Sequence, residues 1–117
     1  MGAVLGALVG DAAGAVLEFF AEPIQREHVQ WALTMPGGGT WNVAPGQVTD
    51  DGELTMSLLH ALAESPADPT AAAAARYSRW VDSKPFDIGA TTAASLGCLR
   101  RHEHAAQAEI HGMARVM

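Results

Sequence analysis

Residues 46–65 read GQVTDDGELTMSLLHALAES, and how they are read decides the fold. Leu54, Leu58, Ala61 and Leu62 recur at helical spacing, which gathers them on one face of an amphipathic helix opening at Asp50 and stopped by Pro66. Two adjacent aspartates at that opening call for a reason, because like charges repel and aspartate is a poor residue for a helix interior. In one reading Thr49 or Asp50 caps the helix and Asp51 complements the positive end of its dipole, together worth about 1–2 kcal/mol. In the other, Thr49, Asp50 and Asp51 present three hard oxygen donors of the kind Mg2+ or Mn2+ takes. Glu53 follows Asp50 at capping-box spacing, with aspartate in place of the usual Ser or Thr, and is assigned to capping.

Upstream, residues 34–48 (TMPGGGTWNVAPGQV) hold two prolines and four glycines without periodicity. They predict a long loop, and a loop of this length inside a compact domain is often functional. Before it, AEPIQREHVQWAL (21–33) predicts a short helix with Pro23 at its first position and Ile24, Val29 and Trp31 available for burial. The opening stretch predicts a buried first helix with Gly2, Gly6, Gly10 and Gly14 on nearby positions of one face. Each glycine costs roughly 0.5–1 kcal/mol against alanine, which implies a neighbouring helix or a ligand close to the backbone, tight packing accounting for most of the four.

Downstream, Asp68 and Pro69 predict the cap and first turn of a helix over PTAAAAARYSRWVDS, ended by Lys84-Pro85. A further helix starts near Asp87, and AAQAEIHGMARVM (105–117) continues helically to a segment without a closing cap. That ending is read as part of a larger domain of which residues 1–117 form the N-terminal portion and the C-terminal portion is absent.

Composition narrows the class. With 23 alanines, 6% aromatics and no β-branched runs, the 117 residues suit a single all-α domain with a core of alanine and aliphatics. A net charge of −6, with Arg100-Arg101 the only basic cluster, argues against a nucleic-acid backbone as partner. The lone Cys98 forms no internal disulfide, which suits a cytoplasmic protein, and free cysteine is more often buried than nucleophilic. The apolar first twenty residues are interrupted by Asp11 and lack a basic lead, so neither a signal peptide nor a membrane span is expected.

Three ordered blocks, GALVGDAAGAVLEF (6–19), GQVTDDGELTMSLLHAL (46–62) and FDIGATTAASL (86–96), together resemble the N-terminal part of the ADP-ribosylglycohydrolase family, which includes the dinitrogenase-reductase-activating glycohydrolases. The resemblance implies an all-helical fold and a binuclear Mg2+ or Mn2+ centre hydrolysing the bond between ADP-ribose and a protein side chain or related acceptor, the partner being an ADP-ribosylated protein or an ADP-ribose-containing small molecule. On it, Thr49, Asp50 and Asp51 match the first metal-binding motif. Glu18 matches a glutamate that reaches the metal centre or its water, and is taken as the catalytic base. Asp11 is read as a supporting hydrogen-bonding group behind the ligands.

Gly89 and Thr91, in the turn GATT, match the place where relatives hold the diphosphate, and a helix N-terminus favours such a group. The plain alternative there is that Asp87 caps a core helix. His102 and His104 read as a solvated helix end, and His60 as an ordinary helix residue. The family's second metal motif, Asp-x-Asp-Thr, and its Asn-Gly substrate loop do not occur in the chain. A different class therefore stays open: a non-catalytic helical remnant or an ADP-ribose-binding module.

Overall fold

The computed structural model describes residues 2–101, the last two by backbone alone, so the readings of His102, His104 and the segment 105–117 lie outside the described residues. The chain is all-α. Its helices are α1 (Gly2–Gly14), α2 (Arg26–Ala32), α3 (Asp50–Glu64), α4 (Thr70–Asp82) and α5 (Ala90–Arg101), with a 3-10 turn, Ala15–Leu17, running on from α1. Among the described residues there is no strand, only an isolated antiparallel bridge between Gly38 and Val43. The chain divides into two compact units, Met1–Thr55 and from Met56 onward.

In the first unit the buried apolar residues are Ala12, Ala13, Ala15, Val16, Ala32 and Val43. Small residues dominate because the backbone of the glycine loop comes directly against the 3-10 turn. A Cβ on Gly39 would stand 2.9 Å from Val16 Cα and 3.1 Å from the Ala15 carbonyl oxygen, and Gly39 also has φ +71°, so only glycine suits the position. Gly38 and Val43 exchange two backbone hydrogen bonds of 2.7 and 3.0 Å around a turn in which the Asn42 amide donates to Gly39 O. The predicted loop is therefore an ordered, glycine-built clip.

Two expectations for this unit are corrected. The first helix is not buried: Leu5 and Val9 are exposed, and burial on α1 is confined to Ala12 and Ala13. Cβ atoms built on Gly2, Gly6, Gly10 and Gly14 meet nothing within 4 Å, so among the described residues no helix closes on that stripe. The second helix starts at Arg26 rather than Pro23, with Gln25 N–H donating to His28 Nδ1 at 3.1 Å, while Ile24, Val29 and Trp31 are all exposed. Periodicity reports which side of a helix is apolar, not whether another element covers it.

In the second unit Ala73, Ala74, Tyr77 and Trp80 form the buried stripe of α4, and Leu96 and Leu99 that of α5, the two helices packing on each other. Ala61 of α3 is fully buried, whereas Leu62 is exposed and Leu54 and Leu58 are half-buried, so the apolar face is narrower than its spacing predicts. Helix α4 begins at Thr70, one residue later than expected, and Lys84, at φ +57°, takes the left-handed conformation that ends it. Helix α5 begins at Ala90, with Gly89 O accepting from Ala93 N at 2.8 Å, three residues later than Asp87 suggests. No helix among the described residues is long and apolar enough to cross a membrane.

Candidate active-site cleft

Within the first unit an open cleft of about 600 Å3 is lined by Gly6, Ala7, Gly10, Asp11, Gly14, Ala15 and Glu18 on one side and Thr49, Asp50, Asp51 and Thr55 on the other. Helical spacing brings Gly6, Gly10 and Gly14 to this wall, and their missing side chains leave the floor open. Four carboxylates reach the cleft and no lysine or arginine lines it.

Asp11 organises the opposite wall. Its Oδ2 accepts from Thr49 N and from Gly52 N, both at 2.8 Å, and its Oδ1 accepts from Thr49 Oγ1 at 2.5 Å. The Thr49 carbonyl takes the first helical bond of α3, from Glu53 N at 3.0 Å, which makes Thr49 the N-cap residue and Gly52 the third residue of the helix. The group that satisfies the third amide is ordinarily the N-cap side chain. Here Asp11 does it from another helix, while Thr49 itself is buried. The capping-box reading of Asp50 and Glu53 is corrected accordingly, since Glu53 is the fourth helical residue and the capping carboxylate comes from 41 positions upstream.

Gly52 makes that arrangement possible. A Cβ there would stand 2.5 Å from Asp11 Oδ2 and 2.5 Å from Val48 Cβ, both too close to tolerate. Nothing in the sequence alone marks Gly52 as more than a helix-weakening residue.

With the Thr49 and Gly52 amides served by Asp11, the carboxylates of Asp50 and Asp51 are not needed for that cap. Asp51 is exposed, yet its carboxyl is raised above the ordinary 3.8, first because the cleft wall partly desolvates it and then because Asp50, Asp11 and Glu18 add negative charge around it. The Thr49 hydroxyl gives its proton to Asp11, so the lone pairs of Oγ1 remain for another partner, with Asp50 Oδ1 at 3.4 Å. The donor set therefore suits a hard divalent cation in type and charge. It is short in number: among the described residues no three His, Cys, Asp or Glu side chains gather as a metal cluster.

Glu18 closes the other end of the cleft. Its Oε2 accepts from Trp41 Nε1 at 2.6 Å, and its main-chain oxygen accepts from Thr40 Oγ1 at 3.1 Å. Sequence reasoning passed over Trp41, which carries no motif. A single indole between glycines gives no sign of its partner until the loop's path is known.

Gly89 and Thr91 belong to the second unit. Both are exposed, at the start of a helix with no acidic residue in its first turn, and Asp87 two residues earlier is buried. Cys98 is half-buried, its Sγ donating to Ala94 O at 3.5 Å, and His60 is exposed.

An all-helical chain with an acidic cleft at a Thr-Asp-Asp helix start is the class that fold and cleft together define. The family model for ADP-ribosylglycohydrolase matches residues 1–115, and the chain belongs to that family. It is 35% identical over 104 residues to the ADP-ribosyl-(dinitrogen reductase) glycohydrolase of Rhodospirillum rubrum, covering 89% of this chain and 34% of that protein. It is 37% identical over 107 residues to the ADP-ribosylarginine hydrolase Tri1 of Pseudomonas putida (strain GB-1), covering 85% and 28%. The Tri1 of Serratia proteamaculans (strain 568) is 31% identical over 108 residues, covering 86% and 28%. The chain thus spans about a third of the length of the curated relatives it matches.

Proposed function

We propose that this chain contributes the N-terminal part of an ADP-ribosylglycohydrolase domain, one half of a binuclear Mg2+ or Mn2+ centre that cleaves ADP-ribose from a protein side chain. The observation that carries the reading is the division of labour among the acids. Asp11 takes the Thr49 and Gly52 amides at the α3 start, while the carboxylates of Asp50 and Asp51 line a cleft that no lysine or arginine lines. Asp50, Asp51 and the Thr49 hydroxyl would hold the metal, and the relatives' greater length leaves room for the rest of its ligands. The bound ions would supply Lewis-acid polarisation and a more acidic water.

The chain's own groups do the remainder. Glu18 faces the cleft and accepts the proton of the attacking water, while Asp11 keeps Thr49 and the first turn of α3 in place. The exposed amides at Gly89 and Thr91 suit a diphosphate, since the first turn of α5 has no acid to repel it. The substrate is then an ADP-ribosylated protein, as the relatives' names suggest, met in the cytoplasm.

The test pairs binding with turnover. Calorimetric titration with Mn2+ should register binding to the chain and lose it in Asp50→Asn and Asp51→Asn. In a polypeptide of the relatives' length, Glu18→Gln should lower hydrolysis of an ADP-ribosylated arginine peptide by roughly 10²- to 10⁴-fold. Unchanged Mn2+ affinity in both aspartate variants would remove the ligand assignment. Binding of ADP-ribose without any hydrolysis in the longer polypeptide would favour the binding-module alternative.

A further inference from the structure

We propose that Trp41 is the positioning residue of the cleft, holding the Glu18 carboxylate in one orientation through its indole N–H; the catalytic meaning of that contact rests on the function proposed above. The hydrogen bond from Trp41 Nε1 to Glu18 Oε2 is short, 2.6 Å, and spans 23 residues of sequence. A donor bound to one carboxylate oxygen fixes the plane of the group and leaves the other oxygen for a second partner. Glutamate has three side-chain torsions, so without such a restraint its head would sample several directions.

The indole is itself well anchored. Gly39 lies against the backbone of Ala15 and Val16, within the 3-10 turn that leads to Glu18. Thr40 ties the Glu18 carbonyl oxygen from the same loop, and the Gly38–Val43 bridge closes that loop behind Trp41. The Trp41 ring meets Phe19 edge-on, with centroids 6.4 Å apart and planes at 66°. Phe19 is otherwise exposed and sits at φ +55°, a conformation uncommon for a bulky residue, which turns the chain immediately after Glu18. Three backbone attachments and one ring contact therefore converge on a single donor aimed at a single carboxylate. The same loop could have held the 3-10 turn through glycine alone. The added indole places a hydrogen on the one acid of this wall that the α3 cap does not use.

Trp41→Phe is the discriminating variant, because it keeps an aromatic ring at the position and removes the N–H donor, the smaller ring's lost packing being read separately in the unfolding temperature. The readouts are NMR signals that need neither metal nor turnover. In the wild-type chain the Trp41 indole N–H should be protected from exchange and should shift in Glu18→Ala, but hold in Glu18→Gln, whose amide oxygen still accepts, and in Glu22→Ala. The Glu18 methylene couplings should report one rotamer in the wild type and averaged rotamers in Trp41→Phe, at an unfolding temperature within a few degrees of wild type. Averaging in Trp41→Phe supports the proposal. A freely exchanging indole that ignores Glu18→Ala overturns it, and so does a single Glu18 rotamer retained in Trp41→Phe. Should Trp41→Phe fail to fold, the wild-type and Glu18→Ala indole signals still decide between these outcomes. Failure of the hydrolase reading would leave all of these signals unchanged and would show only in the absence of turnover.

Discussion

Helices α3 and α4 both begin beside an aspartate and use it in opposite ways. At α4 the Asp68 carboxylate bends to the Thr70 amide two residues on, at 3.3 Å, and the Ser65 hydroxyl steadies the Asp68 carbonyl at 2.8 Å. Everything there is local and exposed, so water can stand in for any one of these groups. At α3 neither Asp50 nor Asp51 serves the first turn. The work passes to Asp11, which ties the buried Thr49 and Gly52 to another helix. A local cap ends a helix, whereas a cap from another helix also fixes where the helix goes and leaves its own acids for other use.

That contrast breaks most visibly at Asp11. Asp11→Ala removes three hydrogen bonds to a charged acceptor, takes the acceptor from the Thr49 and Gly52 amides and leaves the Thr49 hydroxyl only the longer contact to Asp50. The expected loss in urea unfolding is about 2–4 kcal/mol, from charge-assisted bonds and the cost of stranded buried donors. A loss no larger than that of an ordinary surface cap would mean that α3 does not depend on its remote acid.

Gly52→Ala sharpens the same point through its sign. On helix propensity alone the change should stabilise by up to about 1 kcal/mol. The added methyl would meet Asp11 Oδ2 and Val48 at 2.5 Å, so the expected result is a net loss of about 1–3 kcal/mol from overpacking and a pushed carboxylate. Greater stability in Gly52→Ala would show that Asp11 can retreat without penalty. Asp68→Ala at the other helix start should cost only about 0.5–1 kcal/mol, with no change in the cleft.

How much of this was readable beforehand follows from the range of each interaction. The α3, α4 and α5 helices were visible because periodicity and breakers act within a few residues: Pro66 and Lys84-Pro85 stand where α3 and α4 end. The acidic step at Thr49–Asp51 was visible as chemistry, and the family blocks gave it a context. Its partner was not, because nothing in a sequence connects a carboxylate at 11 with amides at 49 and 52 until the fold brings them together. Trp41 was hidden for the same reason. The burial of Ile24, Val29 and Trp31 was expected from apolar character, yet these side chains are exposed, since character does not say what lies opposite.

The finest distinction between the two helix starts lies in the pH dependence of Asp51. Its carboxyl titrates above 3.8 in the folded chain, through partial burial and then through the charges of Asp50, Asp11 and Glu18. As pH rises from the ordinary carboxylate value through the raised folded value, the unfolded chain gives up this proton first. Ionisation thus favours unfolding, so the contribution is present below the unfolded value, is lost across that window, and is level above it. Asp51→Asn cannot ionise and should therefore gain thermal stability over wild type as pH climbs through the window, the two chains converging near pH 3. Millimolar Mn2+ at neutral pH should reverse the order of wild type and Asp51→Asn, because a cation stabilises the ionised cleft and the amide offers it less. Parallel melting curves for wild type and Asp51→Asn across the whole range, with and without Mn2+, would mean that Asp51 feels neither its acidic neighbours nor a cation.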